Sequence, residues 1–334
     1  MVHRDHCASL PDTDLGFASL RSGKKPYGYS QCAKLAFGAN PAWWRGGDCS
    51  DVLVGAGVSA VAGFDCVRAV YRYRRGGALV AVVGFMDDHG HIAARWRLLG
   101  HFAAATWLLW WMGGLPALQF WGVVVDLGVV GHVLAVFYLV WLLNLYNFMD
   151  GIDGIASVEA ICVCLGACLL GWLGGWPQVV WAPLLLAVCV GGFLFWNFPP
   201  ARIFMGDAGS GFLGIVLGGL SLQAAWQSAE LLWGWLILLG VFIVDATFTL
   251  FRRLLRGDKV YEAHRSHAYQ YASRRFGSHL PVTITVAVIN MFWLLPIAVA
   301  VTHFGLDGSL GVIVAYAPLL WLAIAYRAGE LEKN

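Results

Sequence analysis

The segment NLYNFMDGIDGIA, residues 144–156, puts two asparagines and two aspartates at the junction of two apolar runs. Asp150 and Asp153 are three residues apart, a spacing that shares one face of a continuing helix. Their carboxylates are hard oxygen ligands for a cation such as Mg2+. The amides of Asn144 and Asn147 both donate and accept, which suits the edge of a heterocycle or a sugar. Gly151 and Gly154 let the backbone approach a ligand closely. A lone DGxDG is equally well a turn followed by a helix cap, and both readings stand at this point.

Three more polar stretches interrupt the apolar chain. FMDDHGHIAARW, 85–96, sets Asp87 beside Asp88. Two adjacent carboxylates repel unless a cation shares them or water solvates them. NFPPARIFMGDAGSGFLG, 197–214, holds Asp207 between glycines where a new helix opens. There the amides of residues 209–211 can face an anion at the helix N-terminus, and Asp207 can hold Mg2+ against it; an N-cap aspartate is the structural alternative. FRRLLRGDKVYEAHRSHAYQYASRRFG, 251–277, mixes cations with His264 and His267. That histidine pair lacks a third zinc ligand, so donors around a pyrophosphate are the better functional reading. Each stretch has an ordinary structural explanation. Together, carboxylates, a divalent ion and cations are the equipment for phosphoryl transfer from a soluble nucleotide to a membrane-bound phosphate.

The elements that carry these loops are apolar helices. The 334-residue chain is 59% hydrophobic and only 13% charged, where a soluble domain carries about 25%. Mean hydropathy is +0.67. This composition predicts an all-α, polytopic transmembrane helical bundle with its active-site loops on the cytoplasmic side. It gives no sign of a nucleic-acid partner. The opening residues lack the apolar core of a signal peptide. The eight cysteines have no zinc spacing.

Runs long enough to approach a membrane span fall at 101–115, 120–143, 155–173, 179–196, 211–225, 231–251, 282–301 and 310–326, with a shorter one at 77–86. No Lys or Arg lies between Arg97 and Arg202. One crossing per run puts every cation from Arg95 onward on one side, with Asp87, Asp88, Asp150, Asp153, Asp207 and Asp258. By the positive-inside rule that side, and the C-terminus, are cytoplasmic. Glu230 and Asp307 are the exceptions, each alone in an opposite loop.

The four motifs, DD at 87–88, NxxNFxDGxDG at 144–154, PARIFMGDAGS at 200–210 and HRSHAYQ at 264–270, resemble in order and spacing the polyprenyl-phosphate N-acetylhexosamine-1-phosphate transferase family, relatives of the phospho-MurNAc-pentapeptide translocase. The resemblance implies that undecaprenyl phosphate attacks the β-phosphate of a UDP-N-acetylhexosamine and releases UMP. It implies Mg2+, with Mn2+ as an alternative, held by Asp207 and Asp150. Asp87 and Asp88 then stand beside the lipid phosphate and count with Asp207 as catalytic. Asn144, Asn147, Asp150, Asp153 and Asn197 bind the substrate, and His264 and His267 contact its pyrophosphate. The HRSH loop differs from the histidine triplet of the MurNAc-peptide enzyme, which favours the branch that initiates O-antigen of lipopolysaccharide and similar cell-surface polysaccharides. The sugar is then GlcNAc or a 6-deoxy N-acetylhexosamine. The expected setting is the bacterial inner membrane, with a homodimer as the expected assembly.

Residues 1–76 do not fit this pattern, and 77–334 form the expected transferase domain. Tryptophan has a single codon, so reading Trp43-Trp44 one base later forces Gly-Gly. The same frame permits a string like the family's first cytoplasmic loop, DxPNxRSSHxxPTPRGGG. The expectation is a frameshifted translation up to about Arg75. Two rival readings follow: an inactive relative, owing to that opening, and a transporter using Asp126, Glu159 and Asp245 as intramembrane acids.

Overall fold

A computed structural model describes residues 94–258 and 264–330. Asp87, Asp88, the run 77–86 and the segment 1–76 lie outside the described residues. The chain is an all-α membrane bundle, as composition predicts. In lipid every backbone amide and carbonyl needs an internal partner, which selects helices. They are α1 (Ala94–Met112), α2 (Gly128–Met149), α3 (Ile155–Leu173), α4 (Trp181–Asn197), α5 (Gly206–Ala225), α6 (Ala229–Leu238), α7 (Gly240–Arg256), α8 (Ala268–Phe276), α9 (Leu280–Ile289), α10 (Leu295–Phe304) and α11 (Gly308–Ala325). A π turn, Asn290–Leu294, joins α9 to α10.

Six of the described helical stretches are long and apolar enough to span, or seven if α6 and α7 count as one broken span. Eight runs were expected from sequence. The run at 101–115 lies in α1, whose Arg95, Arg97 and His101 dilute its apolar character. The run at 120–143 starts late, because Leu118–Phe120 and Val123–Val125 pair as an antiparallel hairpin. Trp121 and Gly122 form its two-residue turn, both with positive φ, the backbone such a tight hairpin demands. The run at 231–251 is bent by 69° at Leu239.

Helix α5 is the most enclosed span and α4 the most open to lipid. Hydrogen bonds between loops distant in sequence gather the described loops at two ends. At the end without cations, Trp226 Nε1 donates to the Gly114 carbonyl (3.2 Å) and Trp233 Nε1 to that of Gln119 (3.0 Å). The acids found there sit at the starts of helices, and Asp307 caps its own. Asp126 accepts from the Gly128 amide at 2.9 Å, and Glu230 pairs with the Ser228 hydroxyl. Asp307 accepts from the amides of Ser309 (2.9 Å) and Trp121 (2.7 Å), so it ties α11 to the hairpin. Asp126, read from sequence as an intramembrane acid, therefore lies before its helix rather than inside it.

The other two expected intramembrane acids are structural fasteners. Glu159 is fully buried, and its Oε2 accepts from Asn290 Nδ2 at 2.6 Å. It also meets the backbone of Phe242, just past the break between α6 and α7. One carboxylate thus joins α3, the π turn and the restarted helix. Asp245 on α7 accepts from the amides of Ala268 (2.9 Å) and Tyr269 (3.0 Å) and from the Thr249 hydroxyl (3.1 Å). It caps α8 and moors that amphipathic helix against the basic end of the bundle.

Candidate active site

Helix α2 runs to Met149, where Asp150 leaves the helical conformation (φ −88°, ψ 49°). Gly154, at φ +74°, turns the chain into α3. The loop between them meets the 198–205 loop, which carries a cis peptide between Pro199 and Pro200. Between these loops and the start of α5 lies a cleft of about 320 Å3. Asn147, Asp150, Asp153, Asn197, Asp207 and Ser210 line it, with Phe204 and His279. Asp150 and Asp207, read from different motifs, share this one space.

Asp207 sits in the first turn of α5, with Arg97 Nη1 of α1 at 3.7 Å from its Oδ2. The helix begins at Gly206, earlier than the apolar run indicated, so the amides free at its end are those near 206–208 and not 209–211. Asp150 is half-buried. Desolvation first, and the charge of Asp207 second, push its pKa well above the usual carboxylate range. A buried acid whose ionisation a second carboxylate opposes across the same cleft fits a cation between the two. Their oxygens suit Mg2+ or Mn2+. Among the described residues no three His, Cys, Asp or Glu side chains gather around one point. Two carboxylates suffice for Mg2+, which commonly takes its remaining ligands from water and substrate phosphates.

Other expected site residues are partly committed to the scaffold. Asp153 Oδ2 accepts from the Ala201 amide at 3.1 Å, and Oδ1 lies 3.2 Å from His279 Nδ1. Asn197 is buried; it donates to the Ile203 carbonyl (2.9 Å) and accepts from the Ser157 hydroxyl (3.2 Å), holding the 198–205 loop in shape. Asn144 donates back to Val140 in its own helix (2.7 Å) and lies outside the cleft lining, one turn from Asn147. Gly151 lines the cleft, yet its missing side chain makes room for protein. A Cβ there would collide with the Tyr269 hydroxyl, which donates to the Phe148 carbonyl at 2.9 Å.

His264 and His267 stack on each other, ring centroids 4.9 Å apart, beside Phe148. Neither lines the cleft. His264 Nδ1 shares a hydrogen bond with Ser266 Oγ (3.0 Å), and buried His267 lies 3.4 Å from Asp245. Burial, then the neighbouring His267, push the His264 pKa down to about 4, so at neutral pH it presents an N–H donor and no charge.

Sequence reasoning did not single out Arg97, Phe204, Ser210 or His279. Arg97 carried a signal, as one of two cations just before a long cation-free stretch. His279 carried none, since only the fold brings it to Asp153.

Residues 74–225 match the family described as glycosyl transferase family 4. The chain is 28% identical over 257 residues to a Bacillus subtilis (strain 168) protein named probable undecaprenyl-phosphate N-acetylglucosaminyl 1-phosphate transferase, covering 75% of this chain and 66% of the relative. It is 30% identical over 232 residues to a Mycolicibacterium smegmatis (strain ATCC 700084 / mc(2)155) protein named decaprenyl-phosphate N-acetylglucosaminephosphotransferase, covering 60% of this chain and 57% of the relative. The aligned part thus spans less than two thirds of either relative. Residues 74–225 are thus similar to glycosyl transferase family 4, and the chain is similar to polyprenyl-phosphate sugar-1-phosphate transferases, the family its motifs resemble.

Proposed function

We propose that this chain transfers an N-acetylhexosamine 1-phosphate from a UDP-sugar to undecaprenyl phosphate. A lipid phosphate oxygen bonds to the β-phosphorus, the bond from that phosphorus to the bridging oxygen breaks, and UMP leaves with the electron pair. A phosphate monoester is largely dianionic above its second pKa of about 6, so the attacking oxygen needs no base. The observation that carries this reading is the meeting of Asp150 and Asp207 in one cleft at the basic end of a membrane bundle. There a soluble nucleotide and the head of a membrane lipid can both reach the same carboxylates.

In this reading Asp207 and Asp150 hold Mg2+, which when bound neutralises the diphosphate and stabilises its leaving oxygen. Asn147 and Asp153 line the space for the nucleotide, and Arg97 adds positive charge beside Asp207. His264, half-buried and stacked on the buried His267, donates toward the diphosphate from outside the cleft lining. Asp87 and Asp88 serve the lipid phosphate. The sugar is GlcNAc, which both relatives carry in their names. The basic end faces the cytoplasm of a bacterial inner membrane, where UDP-sugars are dissolved. The product begins a cell-surface polysaccharide, O-antigen being the form expected from the HRSH loop.

The test uses membranes holding the full chain, undecaprenyl phosphate, Mg2+ and radiolabelled UDP-GlcNAc or a UDP-6-deoxy-N-acetylhexosamine. Label entering the lipid phase supports the reading. Absence of lipid-soluble label with both sugars refutes it.

A further inference from the structure

The chain leaves α11 at Tyr326 and turns back across the basic end of α7. Its next residues are gripped one after another. Arg252 Nη1 donates to the Ala328 carbonyl (3.0 Å), Arg256 Nη1 to that of Gly329 (2.7 Å), and Tyr271 Oη to that of Glu330 (2.9 Å). Arg252 Nη2 adds a bond to Glu330 Oε1 at 3.0 Å. The Gly329 amide donates in turn to the Ser266 carbonyl at 2.7 Å. Ser266 lies between the two histidines in sequence, and its hydroxyl meets His264 Nδ1.

We propose that residues 328–330 are a strap that positions the His264–His267 loop for catalysis. The strap's carbonyls read the arginines of α7, and its one inward amide fixes the loop's central carbonyl. Helix α7 and the histidine loop are thereby set in register through a third segment. Asp245 fixes the loop's far end, at the start of α8; the strap fixes its middle. None of 328–330 belongs to the cleft lining, so they act through His264 and not on substrate. Gly329 is the tight point. Its φ is +76°, and a Cβ would stand 3.0 Å from Arg252 Cβ and 3.1 Å from the Thr249 carbonyl. The backbone there would have to lift away.

The role of the strap in catalysis rests on the transferase reading; the mechanical claim does not. The test takes the full chain and its Gly329→Ala, Glu330→Ala and Glu330→Gln variants through hydrogen–deuterium exchange and steady-state kinetics. Gly329→Ala and Glu330→Ala are expected to speed exchange in peptides covering 264–271 and to leave those of 206–225 unchanged. They should raise KM for UDP-GlcNAc or lower kcat by roughly 10-fold, the scale of a small displacement of a positioned group, with KM for undecaprenyl phosphate unmoved. Glu330→Gln keeps an acceptor for Arg252 and should restore both readouts. Unchanged exchange in 264–271 in both disruptive variants overturns the strap. Absence of turnover in the unmodified chain overturns the transferase reading instead, leaving the exchange result to judge the strap.

Discussion

His279 Nδ1 stands 3.2 Å from Asp153 Oδ1, and this contact separates the tasks of two aspartates that look alike in sequence. Asp153 is also bound by the Ala201 amide, and its carbonyl accepts from the Thr283 hydroxyl at 2.8 Å. It is a clamp between two loops and α9. Asp150 instead faces Asp207 across the cleft. Asp153→Ala should therefore lower the thermal midpoint, losing hydrogen bonds of roughly 1 kcal/mol each. Asp150→Asn should keep or raise it, because a repulsive charge is removed, while turnover falls. Scanning fluorimetry in detergent separates the two; equal destabilisation would contradict this division of roles.

The His264 environment sets a pH dependence. Its folded pKa of about 4 lies below the ordinary value of 6.5. Between these values the unfolded chain binds more protons than the folded one. Stability then rises with pH across that window, is complete above it and is lost on acidification. His267 and Arg253 push in this direction, and Asp245 and Asp258 oppose it. His264→Gln should flatten the slope of thermal midpoint against pH between about 4 and 6.5. An unaltered slope would show that His264 does not set it.

Glu159 distinguishes a fastener from a transport acid. Glu159→Gln keeps an oxygen for Asn290 and should retain most turnover and stability. Glu159→Ala removes one of the two acceptors of Asn290 Nδ2, which keeps the Val286 carbonyl at 3.1 Å, and should cost roughly 1 kcal/mol for the lost hydrogen bond. Were Glu159 a proton or ion carrier, the glutamine variant would be as defective as alanine.

Gly151 and Tyr269 should behave as a pair. Gly151→Ala drives a methyl group against the Tyr269 hydroxyl and should reduce turnover sharply. Adding Tyr269→Phe removes the obstacle and should recover much of the loss, less about 1 kcal/mol for the forfeited bond to Phe148. A double variant no better than Gly151→Ala would mean that the glycine serves the ligand instead.

The bundle was legible where hydrophobicity alone decides. The run at 155–173 coincides with α3, and the end expected at 196 falls one residue short of Asn197. It was less legible where polar residues are helical or apolar ones are not. Asp207 and its glycines form the first turn of α5, which an apolar count omits. The hairpin's Val123, Val124 and Val125 look like part of a span, although paired positive-φ residues turn them back. The site acids were readable because carboxylates and glycines at a lipid boundary are unusual. Which cleft carboxylate is also tied up in clamping loops was not, because that depends on His279 and Ala201, both distant in sequence.

The most direct measurement is transfer of labelled GlcNAc 1-phosphate to undecaprenyl phosphate by the purified full chain across a Mg2+ titration, beside Asp150→Ala and Asp207→Ala. The account predicts Mg2+-dependent label in the lipid for the unmodified chain, and a fall on the order of 100-fold or more in each variant, the scale expected when charge stabilisation at a reacting phosphate is lost. Turnover at the unmodified rate in either variant would contradict the claim that these two acids jointly hold the reacting diphosphate.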